Sequence, residues 1–532
     1  MFPCGGRRKT ARRAPRRLRL RLVALLAIAS LWLAAPAPRA RQAAACLRVD
    51  VRDPVTDRVV PSRFYLTDSA GAAQTPTGAI AYDKRDEHHF VTAGSFETAL
   101  AAGRYRLVVE RGPEYLPAAV DLDIPDGATR HETVQVRRWL DMNERGWFSG
   151  DLHNHRDVDQ MPLLLLAEDL NIAPTITDWI WEDRPVATPR PTREPLHAVD
   201  DRHVYSVLDK EVERLESGPG AVALLGLRSV IPFDGYRLFP PDDVYCRRAR
   251  EQGGYVDAEK IVWRDGAALA ALGLIDFVGI VHNHFNRQDV ELETDPWGMI
   301  PKFKPEFDTV AGMPLWSMEV YYHLLNCGFR LPVSAGSASG VKASPLGYNR
   351  VYVKVSGPFS YRNWFASLKA GRSFATNGPM LFLSADGQDP GSELRVGDTA
   401  RPVRIRAEAL SPRPLARLEI VSSGRVLRSI SEPDSAGRWI VEMDQTFTRN
   451  GWVAARAFEP AGRTIRFAHT SPIYIDAGIP AAATDDAKFF LEWIDREIAF
   501  YTANRDFRQR NHEDEMLAFF RQAREVYARM AQ

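Results

Sequence analysis

Cysteine is scarce in this chain of 532 residues, with four in all. Only Cys246 and Cys327 fall well inside the globular part. That excludes a disulfide framework and reads as two buried free thiols, with a single bridge between them as the lesser alternative. A charge surplus is missing as well. Lys and Arg number 69 against 68 Asp and Glu, a net charge of +1. The local excess of arginine is confined to residues 7–21, so no basic surface remains for a nucleic-acid partner. The apolar run Leu22 to Ala35 is too short for a stable membrane span.

That run has Arg16-Arg17 before it and Pro36-Ala37-Pro38-Arg39-Ala40 after it, the layout of a secretory signal peptide. Residues 1–45 are expected to be an export signal, by the general or the twin-arginine route, and the protein to be periplasmic or extracellular. Ala43-Ala44-Ala45-Cys46 leaves open a lipoprotein anchor on Cys46. With 45% hydrophobic and 26% charged residues the composition is that of a soluble globular protein. The length predicts three or four domains.

Residues 46–140 alternate apolar and polar side chains at the strand period, as in Leu47 to Val51 and Gly103 to Val109, and predict a β-sandwich. The phrase Ala102-Gly103-Arg104-Tyr105 resembles the closing strands of carboxypeptidase-regulatory or transthyretin-like sandwiches. His88-His89 reads as a solvated loop. Residues 141–380 change pattern. Helical spacing over Met161 to Leu170 and His203 to Leu215 alternates with short apolar strands at 172–177, 221–225, 277–281 and 331–334. This predicts an α/β domain with a parallel sheet and outer helices. Residues 381–477 return to short strands, a second sandwich of Ig-like size. The apolar stripe Phe489, Phe490, Trp493, Ile494, Ile498 opens a helical hairpin over 478–532.

Four of the twelve histidines stand in two His-Asn-His triplets, His153-Asn154-His155 and His282-Asn283-His284. Each ends an apolar strand. Alternation puts Asp151, His153 and His155 on one face, a pattern suited to a divalent metal. If the sheet closes, strand ends meet at one rim and the two triplets converge. Asp257 and Glu259 also share a face and would add carboxylates.

The stretch Trp147-Phe148-Ser149-Gly150-Asp151-Leu152-His153-Asn154-His155 resembles the opening motif of the PHP (polymerase and histidinol phosphatase) superfamily, most closely its CehA/McbA branch. Further likenesses are Ala167 to Asn171 leading into Thr177-Asp178, Gly253 to Val256, Leu331 to Ser337, Gly347 to Val353 and Phe374 to Pro379. The resemblance covers roughly 146–385. It implies a distorted (β/α)7 barrel with two or three divalent metals (zinc, manganese or iron) that hydrolyses phosphoesters, carbamates or esters. Four ligand positions of that family depart here. Trp179 stands for a His, Arg228 follows Gly226-Leu227 in place of a Glu, Asp257 to Lys260 replaces a His-bearing stretch, and Ala338-Ser339-Gly340 replaces Asp-x-His.

Two explanations compete. In one the site has shifted: His153, His155, His282 and His284 hold the metal, and Asp151, Asp257 or Glu259 bridges, orients or deprotonates the attacking water. Arg156 and Arg287, each just after a triplet, would then hold an anionic group of a small-molecule substrate. In the other the barrel is catalytically degenerate and binds a ligand or a protein. An amidohydrolase-like centre with Lys260 as a bridging carbamate is a third arrangement.

Overall fold

A computed structural model describes residues 45–189, 194–292, 300–397 and 401–532. The export signal expected over residues 1–45 lies outside them, apart from Ala45. The fold is mixed α/β and rich in strands, which form several sheets. Among the described residues no helix is long and apolar enough to cross a membrane.

The N-terminal part is two facing sheets. Ala45–Arg52 lies between Ser95–Leu100 (antiparallel) and Thr129–Gln135 (parallel). Five further strands pair around Ser62–Asp68 and Gly103–Glu110. Alternate residues Leu47, Val49, Val51, Leu107 and Val109 point between the sheets and are buried, as the period of two requires. Cys46, next to Leu47, turns outward, with its Sγ 3.1 Å from Glu97 Oε1. His88-His89 is not a loop: Glu87–Thr92 is a strand, and His89 is buried, stacked on Tyr82 and bonded to Glu87 at 2.8 Å.

The central part is a run of paired strands that returns to its start. Trp147–Gly150 meets Ile172–Trp181 in parallel. Pairing then passes to Val204–Arg214, Gly220–Leu225, Tyr255–Ala258, Phe277–Val281 and Val333–Ala335. From there the Leu152 amide donates to Ala335 O at 3.0 Å, and Asn154 bridges both Ser339 and Thr175. The segment 151–155 is thereby held on both sides, as a rigid site requires. Two pairings, on either side of Gly220–Leu225, are antiparallel, so the sheet is not the all-parallel one expected.

His203 to Leu215 is not a helix. Val204–Arg214 is an eleven-residue strand. Its apolar residues recur at helical spacing because both of its faces are covered, which removes the alternation that marks a half-exposed strand. Helices Met161–Glu168, Asp243–Glu251, Gly266–Ala271, Met313–Asn326 and Tyr361–Lys369 occupy connections between the strands. They bury Trp316, Trp364 and Phe365 among others, each worth about 1.5–3 kcal/mol of apolar transfer.

The C-terminal sandwich is not a separate body. Its strand Phe467–Thr470 pairs with Ser373–Thr376, which pairs in turn with Arg350–Lys354. Thr484–Ala503 and Arg510–Met530 form the helical hairpin. It docks on the central part through Tyr527 Oη to Ala267 O at 2.9 Å and Trp493 Nε1 to Arg264 O at 3.1 Å. Cys246 and Cys327 are buried free thiols.

Candidate metal centre

The end of the Trp147–Gly150 strand brings His153 and His155 to a third donor that lies far along the chain, Glu211 of Val204–Arg214. Among the described residues these three are the group whose donor atoms lie close enough to share one metal ion. His153 Nε2 is 3.0 Å from His155 Nε2. Glu211 reaches His153 Nε2 with Oε1 at 3.3 Å and His155 Nε2 with Oε2 at 3.1 Å. Ligand atoms placed tetrahedrally at zinc-like bond lengths of about 2.0–2.1 Å lie roughly 3.3–3.4 Å apart, so the spacing suits a small divalent cation. All three side chains are buried.

Glu259 stands on the other side of the His153 ring. Its Oε2 is 2.5 Å from His153 Nδ1, and it pairs with the Lys260 ammonium. A carboxylate on the far ring nitrogen fixes the ring orientation and tautomer of a metal-binding histidine. Burial by itself would lower the His153 pKa, but Glu259 and Glu211 outweigh it and lift it to about 10. His155 moves the other way, because burial disfavours its charged form. A cation binding here would compete with a proton on His153.

The loop after Val333–Ala335 holds the two histidines from behind. A Cβ on Gly336 would lie 2.3 Å from His153 Cβ, and one on Gly340 (φ +103°) 2.6 Å from His155 O. Of the residues that replace the expected Asp-x-His, Gly340 is the one that lets the backbone come this close to His155. Trp179, in the place of another expected ligand, meets His155 edge-on with ring centroids 4.7 Å apart. Asp178 pairs with Lys210 at 2.5 Å.

The other residues singled out in the sequence lie around this group in different roles. His282 and His284 are not part of it. His282 Nε2 is 3.2 Å from Ser317 Oγ, and Lys260 Nζ donates to Asn283 Oδ1 at 2.9 Å. Burial first, and then the positive Lys260 and Lys342, hold both imidazoles well below their ordinary pKa. Those same ammonium groups oppose a second cation beside these histidines. Lys260 forms an ion pair with Glu259. Asp151 organises backbone: it accepts from the amides of His153 (3.1 Å), Ser337 (3.0 Å) and Gly347 (2.7 Å). Asp257 accepts from Ser334 Oγ at 2.7 Å, and burial lifts its pKa to about 7. Arg156 donates to Gln160 at 2.7 Å and lies over the Tyr82 ring. Arg287 is tied to Glu110 at 2.6 Å and to the Tyr65 ring, both in the N-terminal sandwich.

No family model and no curated protein matches the chain. Among solved structures it is similar to a minor pilin of Streptococcus agalactiae, 16% identical over 19% of this chain and 47% of that one, with a TM-score of 0.16. It is also similar to the Bacillus anthracis TIE protein, 15% identical over 22% of this chain and 20% of that one, TM-score 0.15. A β-glucuronidase of Parabacteroides merdae is 8% identical over 79% of this chain and 60% of that one, TM-score 0.14. The chain spans less than two thirds of each of these structures, and none of the likenesses is close enough to carry an argument about fold or chemistry.

Proposed function

We propose that this chain is an exported metal-dependent hydrolase of the PHP type, resembling the CehA/McbA branch, that acts on a phosphoester, carbamate or ester. The observation that carries the reading is the convergence of His153, His155 and Glu211, with donor atoms 3.0 to 3.3 Å apart. Two imidazoles and one carboxylate are the donor set of hydrolytic zinc centres that keep a position open, and iron or manganese accepts the same set. The returning circuit of seven strands supports a distorted (β/α)7 barrel.

A divalent cation held there supplies Lewis acidity and lowers the pKa of a water to about 7. The chain's own groups do the remaining work. Glu259 holds the His153 ring, and Lys260 neutralises the charge Glu259 would otherwise leave buried. Asp151 anchors the backbone of the histidine segment to the loop that backs it. What supports Asp257 as the proton-transfer group is its pKa of about 7, matched to taking and returning a proton near neutrality.

The reading is tested by metal analysis of protein purified without a metal-chelating tag, together with hydrolysis of chromogenic phosphoester, carbamate and ester substrates. One equivalent of zinc, manganese or iron is expected, lost with activity in His153→Ala and Glu211→Gln. Metal-free, inactive protein with an intact fold would favour the degenerate barrel that serves as a binding module.

A further inference from the structure

A second site lies where the N-terminal sandwich meets the central part and the C-terminal loops. A cavity of about 110 Å³ opens there, lined by five arginines and three glutamates and by none of the residues of the metal centre. A single water needs roughly 10–15 Å³ by the same kind of measure, so the space is large enough for a polyatomic group.

The charges in its wall do not cancel pairwise. Arg63 is committed to Glu110 and Glu168, Arg287 to Glu110 at 2.6 Å, and Arg466 lies 3.7 Å from Glu459. Among the described residues, Arg350 and Arg413 have no carboxylate within ion-pair distance. Arg350 is the more telling of the two. It is 1% exposed. Its Nε donates to Gly347 O at 2.6 Å and one Nη to Glu168 O at 3.3 Å, and its Nη1 is buried with no partner. The hydroxyl of Tyr348, in the same wall, is likewise buried without a partner. A buried guanidinium that donates to carbonyl oxygens, with Glu168 and Glu114 acting on its charge only from beyond ion-pair distance, is a costly arrangement. Water could satisfy the open hydrogen bond but would add no counter-charge to a wall of five arginines and three glutamates. An oxyanion satisfies both, since its oxygens match the planar fork of a guanidinium and accept from a hydroxyl beside it.

We propose that this cavity is a binding site for a small oxyanion, a phosphate or carboxylate group, held by Arg350 and the Tyr348 hydroxyl and drawn in by Arg413 at the exposed rim. The site stands independently of the metal chemistry.

The test is calorimetric titration of the full chain with inorganic phosphate and, separately, with acetate, at constant ionic strength against chloride. Saturable binding of one equivalent of either anion is expected, and the tighter of the two identifies the group. Tyr348→Phe removes only a hydroxyl that has no partner within the protein, so the fold should stand. That variant and Arg413→Gln should each weaken binding by about tenfold, the usual worth of a hydrogen bond or contact to a charged group. His153→Ala should leave it unchanged. Absence of saturable binding up to roughly 10 mM, an affinity of under about 3 kcal/mol, would overturn the proposal. So would affinities that both pocket variants leave intact, or binding lost in His153→Ala alone, which would put the anion at the metal centre.

Discussion

Trp179 presses the edge of its ring system against the imidazole of His155, with centroids 4.7 Å apart. The residue occupies the position where the PHP resemblance calls for a histidine, and it has no donor atom to offer a metal. The contact instead supports one face of a residue that does.

On the proposed function, that substitution predicts a centre for one metal. Trp179→His restores a donor next to His155 and removes the ring that fills the space. The variant is expected to bind more metal per chain than the parent protein, read by elemental analysis after equilibration with zinc. An unchanged stoichiometry would count against a site derived from a multinuclear one.

Glu259 bonds the nitrogen of His153 that faces away from Glu211. Replacing it with Gln keeps the shape but removes the charge that orients the ring. Loss of such a supporting carboxylate typically costs 10–100-fold in metal affinity, and a fall of about that size is expected in competition with a chromogenic chelator. The fold should survive, although Lys260 loses its closest counter-charge.

Gly340 has φ +103° and sits where a Cβ would strike the His155 carbonyl. Gly340→Ala is expected to destabilise the protein by about 1–3 kcal/mol through backbone strain, seen as a lower denaturation midpoint. It should also displace His155 and weaken metal retention. Gly387, whose added Cβ would meet nothing within 4 Å, is the control for the backbone penalty of a positive φ (+76°) without a clash.

His469 is fully buried; its Nδ1 donates to Thr470 O at 2.7 Å and its Nε2 accepts from Tyr322 Oη at 2.8 Å. Burial, and then Arg456, lower its pKa from 6.5 to about 3. The folded state therefore binds fewer protons than the unfolded chain between those values. The stability His469 contributes is whole above 6.5 and is lost as pH falls towards 3. His89, lowered by burial to about 4, acts in the same direction. Buried Asp257 and Glu114, lifted to about 7, act in the opposite direction, so the measurement is a difference: the urea midpoint of His469→Gln, which can make both hydrogen bonds without titrating, should gain on that of the parent protein from pH 7 to pH 5.

Two of the three donors of the candidate metal centre stood openly in the sequence. His153 and His155 stand out because two imidazoles at strand spacing are a local pattern. Glu211 was hidden for a physical reason: it lies in Val204–Arg214, whose apolar residues at 204, 207, 208 and 212 imitate a helix because the strand is covered on both faces. Read as a helix, the segment puts Glu211 among surface charges. The matching triplet at 282–284 lies outside the three-donor group, and spacing says nothing about neighbouring charges such as Lys260 and Lys342. The strands Ala45–Arg52 and Pro402–Leu410 and the helix Thr484–Ala503 were legible from periodicity, since each has one face toward water.

The pairing of Ser373–Thr376 with Phe467–Thr470 has a consequence for how the molecule can be divided. A cut at the apparent boundary near residue 380 would leave the hydrogen-bonding groups of a central strand bare, an open template for another chain to add to. The last strands and the central part share one run of paired strands, so the two are expected to fold as one piece.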